Sequence, residues 1–337
     1  MMEVAMLRTI LKMIFPLCIL SFLLVVAGIA VLAPLVNQDK ATPASPVTGT
    51  ISPTHYPINA TIVLNTDLPD IPSTMYNLRL VPMSWSKEKA SQIAETIFGV
   101  TSEPQWFLGY ADRDAWLIKE GIKEVTVYSD GSVKYEGYLK DTSNELGFKL
   151  EDLPHKEACI ATAEQFIEKF SIEGFMPDKI SSSIYYVGPS ATTSLSFQDG
   201  TLEEYADDLS VIFRPSYDGT PLMGERFRVS FSSGGAIMGF SGRFREVELL
   251  EAVNMRSAEW AIEKGKEGYG ERVSYLRPGS PISEVIIDSI QIIYRPDTAR
   301  SNMVDIWMPV YQITGTYVSE DGETGEFGWG VPATLPE

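Results

Sequence analysis

Residues 13–36 form a continuous apolar segment, which Arg8 and Lys12 precede and Asn37 follows. A helix rises about 1.5 Å per residue, so this segment is long enough to cross a hydrocarbon core of about 30 Å. A helix also satisfies its own backbone hydrogen bonds in lipid. The segment therefore predicts a single transmembrane helix that tethers the rest of the chain.

Two other interpretations of this segment are less favoured. A cleaved secretory signal has an apolar core of about 7–15 residues and ends at small residues. Here the core is longer, and the small pair Ala30 and Ala33 lies before Pro34, inside the apolar run. A lipoprotein signal at Cys18 lacks the small residue expected before the cysteine, because Leu17 stands there. A retained anchor is the better prediction.

The charges beside the anchor predict its orientation. Arg8 and Lys12 favour the cytoplasm, whereas the nearest cation after the anchor is Lys40. Residues 1–12 are thus expected to be a short cytoplasmic segment, with the body of the chain outside the cytoplasm. Ser21 and Gly28 lie one heptad apart on one helix face and permit close contact with a second transmembrane helix. Asn59 begins an Asn-Ala-Thr sequence, a possible glycosylation acceptor on the outer side.

The charge of the chain excludes two classes of ligand. The 337 residues carry a formal net charge of −18, and residues 1–36 hold Glu3 against Arg8 and Lys12. About −19 therefore belongs to the body. Nucleic acids and anionic lipids require clusters of Lys and Arg, so neither is expected as a main ligand. Apolar content of 44% and a length near 300 after the anchor predict two or more core-bearing units.

Cysteine and histidine are too scarce to suggest metal or histidine-based chemistry. The chain has two of each, Cys18 and Cys159, and His55 and His155. With Cys18 in the membrane no disulfide within one chain is expected, and Cys159 is expected to be a buried thiol on the apolar face of a helix. No cofactor and no metal ion is therefore predicted.

The body shows a helix followed by strands three times. A Pro/Thr/Ser-rich linker is expected over residues 37–82, in which residues 58–64 form a lone strand or an extended segment. Units then follow at 83–150, 151–252 and 253–337. Their helices are expected after Ser86, after Pro154 and after Ser257, each with apolar residues at helical spacing.

Alternating residues and Asp-Gly turns predict antiparallel strands in each unit. The strongest hairpin signal is Ser129-Asp130-Gly131, since such turns need positive φ. Together these patterns predict an α+β fold, in which a transmembrane helix is followed by antiparallel sheets that each have helices packed on one face.

Three short stretches resemble a known family. They are the proline-containing residues 68–72 that lead to the helix start at 86–90, residues 257–261 followed by Gly265, and residues 286–294 with the strand 306–313. Over about residues 68–317 this arrangement resembles the prokaryotic membrane-anchored regulators of the YycH/YycI type, with their PepSY-like units. An acidic, Ser/Thr-rich insertion at about 190–208 and a more negative charge depart from the family pattern.

The resemblance implies a non-enzymatic, extracytoplasmic regulatory or interaction protein. Its partner would be another membrane protein, such as a sensor kinase, contacted through the transmembrane helix. PepSY-like units also imply an alternative, a peptide-binding or peptidase-inhibiting module. A second alternative is an envelope hydrolase that acts on glycan or peptide.

Candidate catalytic and ligand-binding residues have simpler structural interpretations. Glu203-Glu204 and Asp207-Asp208 are the densest acidic cluster, and a solvated loop is expected there rather than a pair of catalytic carboxylates. Residues 232–235, Ser-Ser-Gly-Gly, lack the motifs of a nucleophile turn or a phosphate loop and predict a hairpin turn. Besides Asp130, three further aspartates precede glycine without calcium-loop spacing and are expected in turns, namely Asp199, Asp218 and Asp321.

Binding surfaces are expected in two places. At least one of the six tryptophans is a candidate for a glycan or peptide groove, although most tryptophans in helices and strands fill cores. Sheet edges at residues 236–240 and 326–330 are candidates for accepting a partner strand.

Overall fold

Strands dominate the part of the chain that the structure describes. A computed structural model describes residues 58–108, 114–137, 147–197, 201–272, 280–297 and 306–334. Strands hold 53% of these residues and helices 17%. The expected α+β fold, with helices on one face of each antiparallel sheet, is therefore wrong, and the described part is a mostly β structure. The periodicity of each segment was visible in the sequence, but the way in which strands from distant segments join common sheets was not.

The three α-helices of the described residues lie where apolar periodicity predicts them. They are α1 (Lys87–Phe98), α2 (Lys156–Ile172) and α3 (Ala258–Lys266), and a short 3-10 helix spans Leu150–Asp152. The Ser86 hydroxyl accepts a hydrogen bond from the Lys89 backbone N–H at 3.2 Å and caps α1. Gly99, with φ of 63°, ends the same helix.

The strands are numbered in chain order. The first nine are β1 (Thr61–Leu64), β2 (Thr74–Pro82), β3 (Gln105–Leu108), β4 (Asp114–Glu120), β5 (Lys123–Tyr128), β6 (Ser132–Glu136), β7 (Phe148–Lys149), β8 (Ile180–Pro189) and β9 (Thr192–Ser196). The others are β10 (Leu202–Ala206), β11 (Leu209–Tyr217), β12 (Thr220–Pro221), β13 (Phe227–Phe231), β14 (Ile237–Arg243), β15 (Arg245–Asn254), β16 (Glu271–Arg272), β17 (Ile282–Pro296), β18 (Ile306–Ser319) and β19 (Thr324–Pro332).

Sheet 1 is the nine-stranded antiparallel sheet. Its order is β8-β11-β13-β14-β6-β5-β4-β3, with β12 paired to the end of β11. Helices α1 and α2 both pack against this sheet and share one hydrophobic core with it. Phe98 of α1, Phe166 and Phe170 of α2 and Phe240 of β14 form a cluster of aromatic rings whose centroids lie 5.1–6.2 Å apart. Two of the three described helices thus pack on a single sheet.

Sheet 2 has seven strands and lies beneath α3. Its main path is β1-β17-β18-β19-β16, and β2 joins β18 to β15. The β1 strand runs parallel to β17 and the other pairs are antiparallel. Trp329 and Tyr311 are fully buried at the centre of its core. Gly265 of α3 lies so close to the Trp329 ring that a Cβ there would be 2.6 Å from a ring carbon.

Sheet 3 is a short three-stranded sheet in the order β7-β10-β9. Its β9-β10 pair continues the β8-β11 pair of sheet 1, because Pro189 pairs with Leu209 and Thr192 pairs with Ala206. The two pairs therefore form one long antiparallel ribbon that passes from sheet 1 into sheet 3.

Several segments expected to be separate come together in these sheets. Sheet 1 takes strands from both sides of the expected boundary at 150/151, and β1 and β2 fall within the expected linker. The contacts group all the described residues into one unit. The division into three consecutive units stays a prediction, but the sheets do not follow its boundaries.

The anchor prediction falls on residues outside the described part. Segment 13–36, with Ser21 and Gly28, lies there, as do Cys18 and His55. Among the residues that the structure describes, none of the helices is both long and apolar enough to cross a bilayer. Asn59, the possible glycosylation acceptor, is described and its side chain is exposed.

Candidate functional site

The outer edge of the long ribbon is a continuous open strand edge. Among the described residues, β8 pairs only with β11, and β9 pairs only with β10. The Ser190 backbone N–H donates to the Asp208 carbonyl at 3.2 Å and bridges the two ladders. The β8–β9 edge, residues 180–196, thus leaves one side of its backbone without a strand partner in the described part of the chain.

This edge carries no charged side chain. From Ile180 to Phe197 the sequence has no Asp, Glu, Lys, Arg or His, although 21% of the whole chain is charged. Natural edge strands are commonly protected from pairing by charges, by proline or by being short. Elsewhere in this molecule β1 and β3 have four residues each, and β15 carries Glu246 and Glu248. The β8–β9 edge is long and uncharged, and its one proline, Pro189, lies at the junction of the two strands, so β8 and β9 on either side of it are suited to accept a further strand.

Exposed aromatic side chains border this edge. Tyr185 is 63% exposed and Phe197 is 46% exposed. A bulge in the pairing between Ile212 and Phe213 leaves Tyr185 without a ladder partner, and the Arg214 guanidinium lies 3.6 Å from the centre of its ring. This contact holds the ring against the neighbouring strand β11. The bulge interrupts the edge once, and the ladder is regular on both sides of it.

A partly buried ion pair fixes the junction between β10 and β11. The Arg228 guanidinium contacts the Asp208 carboxylate at 2.6 Å and donates to the Ser210 hydroxyl at 2.8 Å, and Ser210 in turn donates to Asp208 at 2.7 Å. Asp208 is 6% exposed. The expectation of a solvated loop at Asp207-Asp208 is therefore wrong for Asp208. Its role is to hold the ribbon where it leaves sheet 1.

A polar cleft of about 610 Å³ opens between sheet 3 and the turn that joins β13 to β14. Within it, Lys149 of β7 contacts Glu203 of β10 at 2.8 Å, and the Tyr205 hydroxyl donates to the same carboxylate at 2.5 Å. The hydrogen bond to Glu203 raises the pKa of Tyr205, and the same carboxylate raises the pKa of Lys149. Both groups are therefore held in their protonated forms around one carboxylate.

Local backbone geometry builds this cleft. Residues 232–235 form the predicted hairpin turn, in which the Gly235 N–H donates to the Ser232 carbonyl at 2.9 Å, and Ser233 and Gly234 line the cleft. Gly147 has a φ of +86°, and a Cβ there would lie 2.3 Å from the Ala206 carbonyl oxygen. Only glycine lets β7 approach β10 so closely.

The remaining acidic candidates do not converge. Glu203 and Glu204 are consecutive in β10, so their side chains point to opposite faces of sheet 3. Asp218, with φ of 48°, and Asp321 lie in turns as predicted, and Asp199 lies outside the described residues. The described residues contain no group of three potential metal ligands. Paired carboxylates of the glycosidase kind are not formed by this cluster.

His155 lies at the start of α2 and Cys159 on its buried face, away from any catalytic arrangement in the described part of the chain. Cys159 is 2% exposed on the buried face of α2, as predicted, and burial raises the pKa of its thiol. His155 occupies the N-cap position of α2 without a side-chain capping bond. Neither has the surroundings of a nucleophile or a general base.

Most tryptophans fill cores, whereas Trp106 does not. Trp85, Trp307 and Trp329 are 0–6% exposed, and Trp106 of β3 is 58% exposed.

The two strand edges that were expected to accept a partner, at 236–240 and 326–330, both belong to strands with a neighbour on each side. β14 lies between β13 and β6, so the expectation of an open edge at 236–240 is wrong, and β19 lies between β18 and β16. The β8–β9 edge was not predicted from the sequence. The signal that could have indicated it is the absence of charged residues from 180 to 197.

No protein-family model matches the chain, and no curated protein matches it.

Proposed function

We propose that the chain is a membrane-anchored, extracytoplasmic regulatory or interaction protein, not an enzyme, that binds an extended strand of a partner protein along the β8–β9 edge. The observation that supports this proposal is a long edge that has no charged side chain and, among the described residues, no strand partner on its outer side. An added strand gains main-chain hydrogen bonds from such an edge, and neighbouring side chains provide selectivity. Tyr185 and Phe197 supply apolar surface for that selectivity.

The partner we propose is another membrane protein, and the resemblance to YycH/YycI-type regulators supports a sensor kinase. The apolar segment 13–36 supports a location at the membrane, where Ser21 and Gly28 would allow a second contact between transmembrane helices. A peptide-binding or peptidase-inhibiting module is the alternative that the same edge suits.

Charges placed on the edge test this function. Ser183 lies opposite Arg214 and Ser194 lies opposite Glu204, and both serines are exposed. In the double variant Ser183→Glu and Ser194→Lys, each new charge faces an opposite charge within the fold, so folding is preserved. An incoming strand would remove water from the new charges, which costs free energy and should weaken binding. The measurement is crosslinking in native membranes followed by recovery of the attached partner, and recovery should fall by about tenfold or more.

The matched control is Ser241→Glu on the inner strand β14. Ser241 is exposed and lies between Arg228 and Lys134. Like Ser183→Glu, this variant adds one negative charge opposite a cation, but away from the β8–β9 edge. Its partner recovery should equal that of the wild type. Unchanged recovery from the double edge variant would contradict the proposal. A loss seen only with Ser21→Leu and Gly28→Leu would place the contact within the membrane instead.

A further inference from the structure

The cleft beside sheet 3 is separate from the β8–β9 edge. It is lined by Phe148 and Lys149 of β7, by Asp152, by Tyr205 of β10 and by Ser233 of the β13–β14 turn. Its volume of about 610 Å³ falls in the range of small-molecule sites in proteins. The β8–β9 edge lies on the far side of β9, so a ligand in the cleft and a strand on that edge do not compete for the same atoms.

The charges in the cleft disfavour an anionic ligand. Lys149 is the one cation in the described lining, and its ammonium group is already paired with Glu203 at 2.8 Å. Asp152 adds a negative charge to the same cleft. A phosphate or carboxylate would meet one neutralised cation and two carboxylates, and Coulomb repulsion would exclude it.

The hydrogen-bonding groups of the cleft suit a ligand that both donates and accepts. Lys149 has further N–H donors beside the one that contacts Glu203, Asp152 is an acceptor, and the Ser233 hydroxyl is both. Tyr205 adds aromatic surface, on which the apolar face of a ring can pack. Sugars match this combination, because they carry many hydroxyl groups that donate and accept hydrogen bonds and have apolar C–H faces that pack on aromatic rings.

We infer that this cleft is a binding site for a neutral, hydroxyl-rich ligand of the oligosaccharide class. Glu203 orients the Lys149 ammonium and the Tyr205 hydroxyl toward each other, and the sugar hydroxyls bind to the remaining donors and acceptors. The Ser233 turn forms the opposite wall. This site is independent of the strand-binding function proposed above.

Ligand titrations of the full-length protein in detergent test this inference. The probes are chitohexaose, cellohexaose and maltohexaose, with inorganic phosphate as the anionic comparison, and binding is measured by calorimetry. At least one hexasaccharide should bind saturably and phosphate should not. Ser233→Trp places a large ring at the mouth of the cleft from an exposed turn position, and Lys149→Met removes the ammonium donors. Each should weaken hexasaccharide binding by about tenfold or more.

Matched controls keep the experiment specific to the cleft. Lys119→Met removes a lysine that also pairs with a glutamate across strands, at 2.6 Å from Glu124, but in sheet 1. It should leave binding unchanged. Absence of saturable binding for all three sugars would overturn the inference, as would tighter binding of phosphate. Equal binding by Ser233→Trp and the wild type, with both folded by circular dichroism, would overturn it too.

Discussion

At the scale of single residues, Gly131 shows how a turn fits against the junction between β14 and β15. Gly131 follows Asp130 in the β5–β6 turn, and its φ is +82°. Its carbonyl accepts from the Phe244 N–H at 2.9 Å, and a Cβ on Gly131 would lie 2.1 Å from the Phe244 carbonyl oxygen. The residue thus meets two constraints, a left-handed backbone and close backbone contact.

Gly131→Ala should therefore lower the free energy of unfolding by about 3 kcal/mol, from backbone strain together with a clash that the buried Phe244 backbone cannot relieve cheaply. Urea denaturation of the full-length protein measures this loss. Gly322→Ala is the matched control, because Gly322 has a φ of +85° with nothing within 4 Å of its Cβ position. It should cost only about 1 kcal/mol. Equal losses in the two variants would show that the Phe244 contact contributes nothing.

At the scale of elements, β1 shows that part of the expected linker belongs to the folded body. β1 runs parallel to β17, and the Ile58 N–H just before it donates to the Lys266 carbonyl at the end of α3 at 2.9 Å. Ile58 is 7% exposed and lies in the core beneath α3.

Ile58→Ala should lower the free energy of unfolding by about 2 kcal/mol, because it leaves a cavity in the core of sheet 2. Val63→Ala in the same segment should cost less than about 1 kcal/mol, since Val63 is 38% exposed. Denaturation curves of the two variants give the comparison. If Ile58→Ala were as stable as Val63→Ala, residues 58–64 would be a dispensable extension of the sheet.

Helices and local turns were predictable because their signals lie within a few residues. Ser86 and Gly99 bound α1 where the sequence placed them, and the Asp130-Gly131 turn joins β5 to β6. Pairing between distant segments left no such signal. β2 and β15 pair across about 170 positions, as the contact of Arg79 with Glu248 shows, and no local pattern specifies that partnership.

The candidate sites were hidden for a related reason. The Ser/Thr-rich residues 190–208 lack an apolar alternation, so the sequence predicted a loop where β9 and β10 form. Their pairing follows from extension of the β8-β11 ladder rather than from a hydrophobic face of their own. Asp208 looked like a solvated acid because its partner, Arg228, lies 20 positions away on a neighbouring strand.

At the scale of the whole molecule, a small hydrophobic cluster joins sheets 1 and 2. Leu78 and Trp307 of sheet 2 pack with Tyr217 and Leu222 from the β11–β12 hairpin, and Tyr294 of β17 lies among them. The Met223 N–H also donates to the Tyr294 carbonyl at 2.8 Å. Because this cluster is shared, ionisation of Tyr294 would disturb both sheets at once.

Alkaline pH should therefore destabilise the molecule through two buried phenols. Burial raises the pKa of Tyr294 and of Tyr311 to about 12, and they are 4% and 0% exposed. In the unfolded chain a tyrosine titrates near about 10. The folded state thus retains protons that the unfolded state releases, so this stabilisation is fully present below pH of about 10 and is lost as the pH rises toward about 12, by about 1.4 kcal/mol per pH unit for each group.

Urea denaturation followed by circular dichroism between pH 8 and 12 measures this slope. Tyr311→Phe removes one of the two phenols. At pH 8 it should cost about 1 kcal/mol, because the Tyr311 hydroxyl donates to the Arg256 carbonyl at 2.6 Å. Between about pH 10 and 12 its stability should fall less steeply than that of the wild type, by the contribution of one proton. A variant with the wild-type slope would show that Tyr311 ionises equally readily in the folded and unfolded chains, which its burial in the core of sheet 2 argues against.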